Sequence, residues 1–215
     1  MTQVNSAATS NGDFIYVFKG TGTTTGAYTM KPSQQLIGAG ATLNVPTVGP
    51  LVTIAGAAGN TPTLGGTVTL ASSVTVAGID MSTGASSAVA GASITGVSVT
   101  ARDVTTTTGV AINIGGSGNT GPYSFRSVSS SGAVNGISLA NMTGGFTITG
   151  NSGAGTGGTI LNSTGDGIVM TSVDSPGLIS ASTFSGVRGV GVQGTGRNLT
   201  QPELRSSRSP RPAYR

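Results

Sequence analysis

The stretch from Ala133 to Gly194 repeats a short β-strand followed by a turn, and this repetition constrains the fold more than any other feature. Each unit has about five strand-forming residues and then a turn of Gly, Asn, Ser or Asp, and the units recur roughly every ten residues. Three similar strands open with Gly and a β-branched residue, at Gly136, Gly167 and Gly189. Such a chain is predicted to form an all-β repeat structure.

Large apolar side chains alternate with small or polar ones within these strands. In the strand GISLANM, Ile137 and Leu139 alternate with Ser138 and Ala140. Because successive side chains of a strand point to opposite faces, this pattern predicts one buried face and one exposed face. The predicted core includes Ile137, Leu139, Phe146, Ile148, Ile160 and Ile168.

The connections between strands are too short and too rich in Gly to hold the helices of an ordinary parallel α/β sheet. Two architectures remain, an antiparallel sandwich or barrel and a parallel solenoid whose turns stack on one another. The recurrence of the Gly-β-branched opening favours the solenoid, because stacked turns place like residues in ladders.

Composition supports an all-β chain without long helices, since only 7% of the 215 residues are charged and 37 are Gly. The formal net charge of +4 arises from the last segment, residues 197–215, which has five Arg and one Glu. The rest of the chain is neutral, which argues against a nucleic-acid-binding body.

The opening segment shows a pattern of Gly-Asp, alternating apolar residues, Gly, Tyr, Lys, Gln-Leu and Gly-x-Gly. The residues that carry it are Gly12, Asp13, Ile15, Val17, Gly20, Tyr28, Lys31, Gln35, Leu36, Gly38 and Gly40. In these residues the chain resembles the first coil of right-handed parallel β-helix proteins of the pectin-lyase-like superfamily. The later stretches NGISLANMTGGFTITGN and GDGIVMTSV resemble coils of very large bacterial extracellular β-strand-repeat proteins, including autotransporter-like and adhesin-like ones.

We therefore predict a single-stranded, right-handed parallel β-helix of about seven or eight coils. Residues 13–196 are assigned to the β-helix, residues 1–12 to a loose N-terminal segment and residues 197–215 to a disordered Arg/Pro-rich tail. Strands are predicted throughout residues 47–108, including one in LVTIAG, with prolines at the bends. No signal peptide, membrane span or capping helix is visible in the sequence, so we expect a fragment of a longer protein.

The absence of His and Cys excludes Ser-His-Asp and Cys-His nucleophile systems and zinc sites built from these residues. The resemblance implies two alternatives, clustered Asp binding Ca²⁺ beside an Arg or Lys base, and paired Asp for glycoside hydrolysis. Asp166 and Asp174 are the best pair, with Arg188 one coil later, but both Asp residues lie in turn sequences. Arg102 and Asp103 are predicted to form a surface pair. No catalytic, metal-binding or cofactor-binding residue is assigned.

Three other patterns in the sequence have simple structural interpretations. The Gly-rich segments 115–121 and 153–158 lack the Lys and the helix of a phosphate-binding loop, so they are predicted to be turns. The Thr-rich runs do not keep the regular interval that an ice-binding array needs, and Thr fits exposed strand faces. The Arg-rich tail could attract phosphate, but an unstructured end is the simpler interpretation.

The sequence favours a noncatalytic, secreted or cell-surface repeat module of an adhesin-like protein, without cofactors or nucleotide. Expected partners are surface glycans or further copies of the chain. The alternative is a β-helix that binds or cleaves polysaccharide, although aromatic residues, at 4% of the chain, are scarce for a sugar-binding groove.

Overall fold

A computed structural model describes residues 9–151 and 156–174 and, beyond them, the backbone of five short strands. In the described part of the chain the regular structure consists of β-strands, apart from one 3-10 turn at Ala58–Asn60. No helix in the described part of the chain is long and apolar enough to cross a membrane.

The strands follow one another closely along the chain. They are β1 (Phe14–Val17), β2 (Tyr28–Thr29), β3 (Gln35–Gly38), β4 (Leu43–Val45), β5 (Val52–Ile54), β6 (Thr63–Leu64), β7 (Val68–Thr69), β8 (Thr75–Ala77), β9 (Asp80–Thr83), β10 (Val89–Ala92), β11 (Ser98–Thr106), β12 (Ile112–Gly115), β13 (Asn119–Thr120), β14 (Tyr123–Ser131), β15 (Ile137–Thr143), β16 (Phe146–Ile148), β17 (Thr159–Leu161), β18 (Ile168–Asp174), β19 (Gly177–Ile179), β20 (Thr183–Ser185), β21 (Val192–Thr195), β22 (Leu199–Thr200) and β23 (Arg205–Ser207).

Two parallel sheets contain nearly all of these strands. A 13-stranded sheet runs in the order β1-β3-β8-β11-β14-β16-β19-β22, with β6, β9, β17, β20 and β23 attached beside this path. An eight-stranded sheet runs in the order β2-β7-β10-β12-β15-β18-β21, with β13 paired to β15. The chain passes from one sheet to the other and back, so that each strand pairs with its equivalent one circuit earlier. This arrangement fits a β-solenoid.

Hydrogen bonds across the stack join residues about one circuit apart in sequence. The Asp103–Asp80, Gly96–Thr120 and Ile94–Asn119 bonds span 23, 24 and 25 residues. A repeat of this length is longer than the ten-residue unit seen in the sequence, because one circuit contains more than one strand and turn.

The six predicted core residues are confirmed as buried. Ile137 and Leu139 are fully enclosed, and Phe146, Ile148, Ile160 and Ile168 are at most 2% exposed. In the parallel register, Ile112 pairs with Ile137, which in turn pairs with Ile168, so similar side chains stack along the interior. The rings of Phe125 and Phe146 lie 5.7 Å apart, a distance at which aromatic rings attract each other.

The strand predicted in LVTIAG forms, but it does not join the parallel stack. It is β5, which pairs antiparallel with β4 in a separate two-stranded sheet. This hairpin interrupts the circuit between β3 and β6. Its alternating pattern resembles that of the stacked strands, which is why the sequence alone did not distinguish the two kinds of pairing.

Two of the short strands, β22 and β23, fall within the segment 197–215 that was predicted to be a disordered tail. The other residues of that segment lie outside the described residues, as do residues 1–8. The predicted boundaries at residues 12 and 196 therefore remain predictions.

Polar side chains line the interior at one bend of the circuit. Thr83, Thr106 and Ser130 follow one another in register and are buried. The Thr83 hydroxyl donates to the Ser86 carbonyl at 2.7 Å, and those of Thr106 and Ser130 donate to the Gly109 carbonyl at 2.7 and 3.1 Å. These bonds satisfy carbonyl groups that the bend removes from the strand ladder.

Tyr123 is buried at the start of β14, and its hydroxyl has no hydrogen-bond partner in the described structure. Burial raises the pKa of its hydroxyl from 10.0 to about 12. Between these values the folded state keeps a proton that the unfolded state has lost. The free energy of unfolding is therefore unaffected below pH 10 and falls by about 1.4 kcal/mol per pH unit as the pH rises towards 12.

Replacing Tyr123 with Phe should remove this alkaline sensitivity while changing stability at neutral pH by about 1 kcal/mol or less, because an unpaired buried hydroxyl contributes no net stabilisation. Urea unfolding at neutral pH and near pH 11 measures both effects, with Tyr16→Phe as the control for loss of a tyrosine hydroxyl. A variant that is strongly destabilised at neutral pH would show that this hydroxyl has a partner.

Candidate functional site

Four charged residues of the described chain, Asp80, Arg102, Asp103 and Arg126, lie at a bend in the 13-stranded sheet. In β11 the alternation of buried and exposed residues breaks at Arg102 and Asp103, which are both half-buried. The same break occurs one circuit later at Arg126 and Ser127 in β14. We call this place, with Asp80 of β9, the polar corner.

Three successive circuits contribute to the polar corner. Asp103 pairs with Ser127 in the strand register, and the neighbouring pair Met81–Val104 places Asp80 on the other side of Asp103. The side chains therefore come from positions 23 to 24 residues apart in sequence. The stacking of parallel strands alone brings them together.

Asp103 is the centre of the hydrogen bonds at this corner. Its Oδ1 accepts from Nε of Arg126 at 2.7 Å and from Oγ of Ser127 at 2.8 Å, and its Oδ2 accepts from Nη2 of Arg126. Its backbone N–H donates to Oδ1 of Asp80 at 3.0 Å. The Arg126 and Asp103 side chains are 28% and 34% exposed, so the ion pair remains accessible to solvent.

The sequence predicted a pair between Arg102 and Asp103, and the structure corrects this. The ion pair joins Asp103 to Arg126 of the next circuit, because β14 pairs in parallel with β11 and brings Arg126 beside Asp103. Arg102 contributes its charge to the environment of Asp103.

The pKa of Asp103 reflects two opposing effects. Partial burial raises it, but hydrogen bonds from Arg126 and Ser127, with the charges of Arg126 and Arg102, outweigh burial and lower it below its usual value. For Arg126, the hydrogen bond and charge of Asp103 raise the pKa despite partial burial. Both groups are therefore held in their charged forms at neutral pH.

These protonation states limit the chemistry that the corner can perform. A glycosidase needs a carboxylic acid whose pKa is raised so that it carries a proton to donate. A lyase with an Arg base needs a guanidinium that can lose a proton. Asp103 and Arg126 have the opposite tendencies, and in the described residues no three potential ligands gather to hold a metal ion.

The other predicted candidates, Asp166 and Asp174 with Arg188, are only partly described by the structure. Asp166 and Asp174 lie at opposite ends of β18, and the side chain of Asp174 and all of Arg188 fall outside the described residues. Asp166 lies in the connection before β18, as predicted, where its N–H donates to Oδ1 of Asn135 at 3.0 Å.

The sequence analysis missed two buried amides with structural roles. Gln34 accepts from the Tyr28 hydroxyl and the Lys31 N–H, both at 2.8 Å, and donates to the Ser10 carbonyl at 2.9 Å. Asn119 lies inside the Gly-rich segment 115–121, which forms a turn and the short strand β13. The available signal for Asn119 was that it is the one amide side chain in the segment 115–121.

Asn119 connects three circuits. Its Oδ1 accepts from the Ile94 N–H at 3.0 Å, and its Nδ2 donates to the Gly115 and Ala140 carbonyls, each at 2.8 Å. It is completely buried. This side chain therefore replaces strand hydrogen bonds at a bend where the backbone cannot supply them.

Comparisons with protein-family models, curated proteins and solved structures give no match to this chain. The parallel strands are compatible with the β-helix that the sequence resemblance implies. Membership of the pectin-lyase-like superfamily is not shown by these comparisons and is treated below as a proposal.

The Asp103–Arg126 pair should contribute modest, pH-dependent stability. At neutral pH, Asp103→Asn is expected to lower the free energy of unfolding by about 1 kcal/mol, because the pair is partly exposed. A carboxylate with a lowered pKa stabilises the fold above its unfolded pKa of about 4 and loses this contribution as the pH falls through the folded value. The difference between the two proteins should therefore shrink in acid.

Urea unfolding at neutral pH and near pH 3 measures this effect. Thr105→Ser, a change of an exposed side chain on the same strand, is the control and should have little effect. An equal difference between wild type and Asp103→Asn at both pH values would contradict the assignment.

Proposed function

We propose that the chain is a noncatalytic structural module of a secreted or cell-surface protein, built as a right-handed parallel β-helix of about seven or eight coils. The path of seven parallel strands from β2 to β21 supports this number of coils. The resemblance to the pectin-lyase-like superfamily supports the right-handed form. The same resemblance supports a position within a longer adhesin-like or autotransporter-like protein.

The observation that carries the noncatalytic proposal is the arrangement of the polar corner. Both carboxylate oxygens of Asp103 and one of Asp80 accept hydrogen bonds from neighbouring circuits. Groups bound in this way stabilise the stack, and the pKa shifts of Asp103 and Arg126 oppose acid–base catalysis by these two residues.

Two measurements test the structural role. Small-angle scattering should show an elongated particle, since a β-helix grows by about 4.8 Å per circuit. Incubation with polygalacturonate and with neutral polysaccharides should release neither unsaturated products nor new reducing ends. Product formation that disappears in Arg126→Gln would contradict the proposal, as would a spherical particle.

The second candidate is a module that binds polysaccharide without cleaving it. The half-exposed charges of the polar corner favour it, because they lie beside a row of outward hydroxyl-bearing residues. This row contains Ser82, Thr105, Ser129 and Thr159. Charged and hydroxyl groups presented together can hydrogen-bond to sugar hydroxyls and carboxylates.

Affinity electrophoresis in gels containing polygalacturonate or a neutral glucan distinguishes the two candidates. Binding at this surface predicts retardation of the wild type that is reduced severalfold in Arg126→Gln and in Thr105→Ala. Ala92→Ser, on the exposed face of the other sheet, is the control. Equal mobility of all four proteins with and without polysaccharide would reject the binding candidate.

A further inference from the structure

The β4–β5 hairpin presents an apolar tip to solvent. All eight residues from 46 to 53, here called the hairpin tip, are exposed. The described chain has five exposed large hydrophobic side chains, and three of them, Val48, Leu51 and Val52, lie in the tip. Apolar exposure is therefore concentrated in one protruding segment.

The turn at the tip is held in place by its own hydrogen bonds. The Thr47 hydroxyl donates to the Pro50 carbonyl at 2.7 Å and accepts from the Gly49 N–H at 3.1 Å. Pro46 and Pro50 further restrict the backbone. The apolar side chains are thus displayed by an ordered turn, which lowers the entropy lost when the tip is buried against a partner.

The base of the hairpin turns towards the parallel stack. Leu43 in β4 is buried, whereas its partner in the hairpin, Ile54, is half-buried. The two strands form no sheet with any other described strand. The fold therefore buries one end of the hairpin and leaves the apolar end projecting.

A lysine lies at the base of the hairpin. Between residues 14 and 79 the only charged residues are Lys19 and Lys31. The Lys19 ammonium donates to the Gly59 carbonyl at 2.7 Å, which places this cation beside the base of the hairpin. Its neighbour Phe18 is 72% exposed.

A convex apolar tip, an exposed aromatic ring and a lysine at the base match the interface of an anionic bilayer. Apolar side chains enter the acyl boundary, aromatic rings lie at the headgroup level, and lysine reaches the phosphates. The segment from residue 14 to residue 79 contains no carboxylate, and Asp80, which follows it and pairs with Thr63, has its carboxylate hydrogen-bonded to the Asp103 N–H. A protein partner would need a matching concave apolar pocket, whereas lipid adapts to a protruding turn.

We propose that the hairpin tip anchors this module to anionic lipid surfaces by inserting Val48, Leu51 and Val52 into the interface. The attachment is peripheral and independent of the function proposed above. Lys19 strengthens it through headgroup phosphates.

Co-sedimentation of the full chain with vesicles tests the proposal. Vesicles of phosphatidylcholine and of an equimolar mixture with phosphatidylglycerol are used, at low and high ionic strength. The wild type should bind the mixed vesicles more strongly, and Val48→Ser with Leu51→Ser should lower its partition coefficient about tenfold or more. Lys19→Gln should reduce only the preference for the anionic vesicles.

Val134→Ser is the matched control, because Val134 is also an exposed valine but lies outside the hairpin. The basic segment 197–215 is common to all variants, and its attraction to anionic vesicles is screened at high ionic strength. Circular dichroism confirms that each variant is folded.

Three results would overturn the proposal. The wild type could fail to bind either vesicle, the double variant could bind as tightly as the wild type at high ionic strength, or Val134→Ser could lose as much binding. A dimer in sedimentation velocity that the double variant abolishes, without vesicle binding, would assign the tip to self-association instead.

Discussion

Replacing Asn119 with alanine is expected to lower the free energy of unfolding by about 3–5 kcal/mol. The substitution removes the Asn119 amide from the Ile94 N–H and from the Gly115 and Ala140 carbonyls, and of these the Gly115 carbonyl still accepts from the Ser93 N–H at 3.1 Å. Because the Asn119 site is completely buried, water does not readily replace the lost hydrogen bonds. Chemical denaturation followed by circular dichroism measures the loss.

Asn113→Ala provides the matched control. Asn113 lies on the exposed face of β12, six positions before Asn119, and its substitution should change stability by about 0.5 kcal/mol or less. If Asn119→Ala is no more destabilising than Asn113→Ala, the amide does not hold the circuits together.

Replacing Gly121 with alanine should be at least as damaging, with a loss of about 3 kcal/mol or more. Gly121 has a φ of +141°, a conformation that residues with a side chain rarely adopt. A Cβ atom there would overlap the carbonyl oxygen of Val97 in the preceding circuit. The neighbouring strand would have to move, which would disturb the parallel ladder.

Two other glycines in the segment 115–121 distinguish the effect of backbone strain from the effect of steric overlap. Gly118 has a φ of +69° with open space around it, so Gly118→Ala should cost about 1–2 kcal/mol from backbone strain alone. Gly115 has open space and no positive φ, so its substitution should be nearly neutral. Equal stability of the three variants, measured by thermal and urea unfolding, would contradict the steric explanation for Gly121.

The core could be predicted from the sequence because a strand has a period of two. The burial of Ile137 and Phe146 can be predicted because they alternate with small or polar neighbours, and this alternation does not depend on which strand they pair with. Parallel pairing was inferred from the recurrence of Gly-β-branched openings and agrees with the described sheets. Alternation carries no information about pairing direction, so the antiparallel β5 could not be separated from the stacked strands.

The candidate site depended on information that local patterns do not contain. The partner of Asp103 is set by the length of one circuit, so Arg126 becomes its neighbour only after the register is known. Adjacent Arg102 was the nearer choice in sequence and the wrong one. The burial of Asn119 could not be predicted for a different reason. It lies in a Gly-rich turn, where no alternation of apolar and polar residues indicates which side chain is buried.

The β4–β5 hairpin shows that the parallel pairing of the strands does not depend on the number of residues in each circuit. Tyr28 pairs with Val68 and Gln35 with Thr75, each 40 residues away, although later circuits repeat after 21 to 31 residues. The longer circuit closes without shifting the ladders before or after it. This bend can therefore accommodate extra residues at the surface without changing the strand pairing on either side of it.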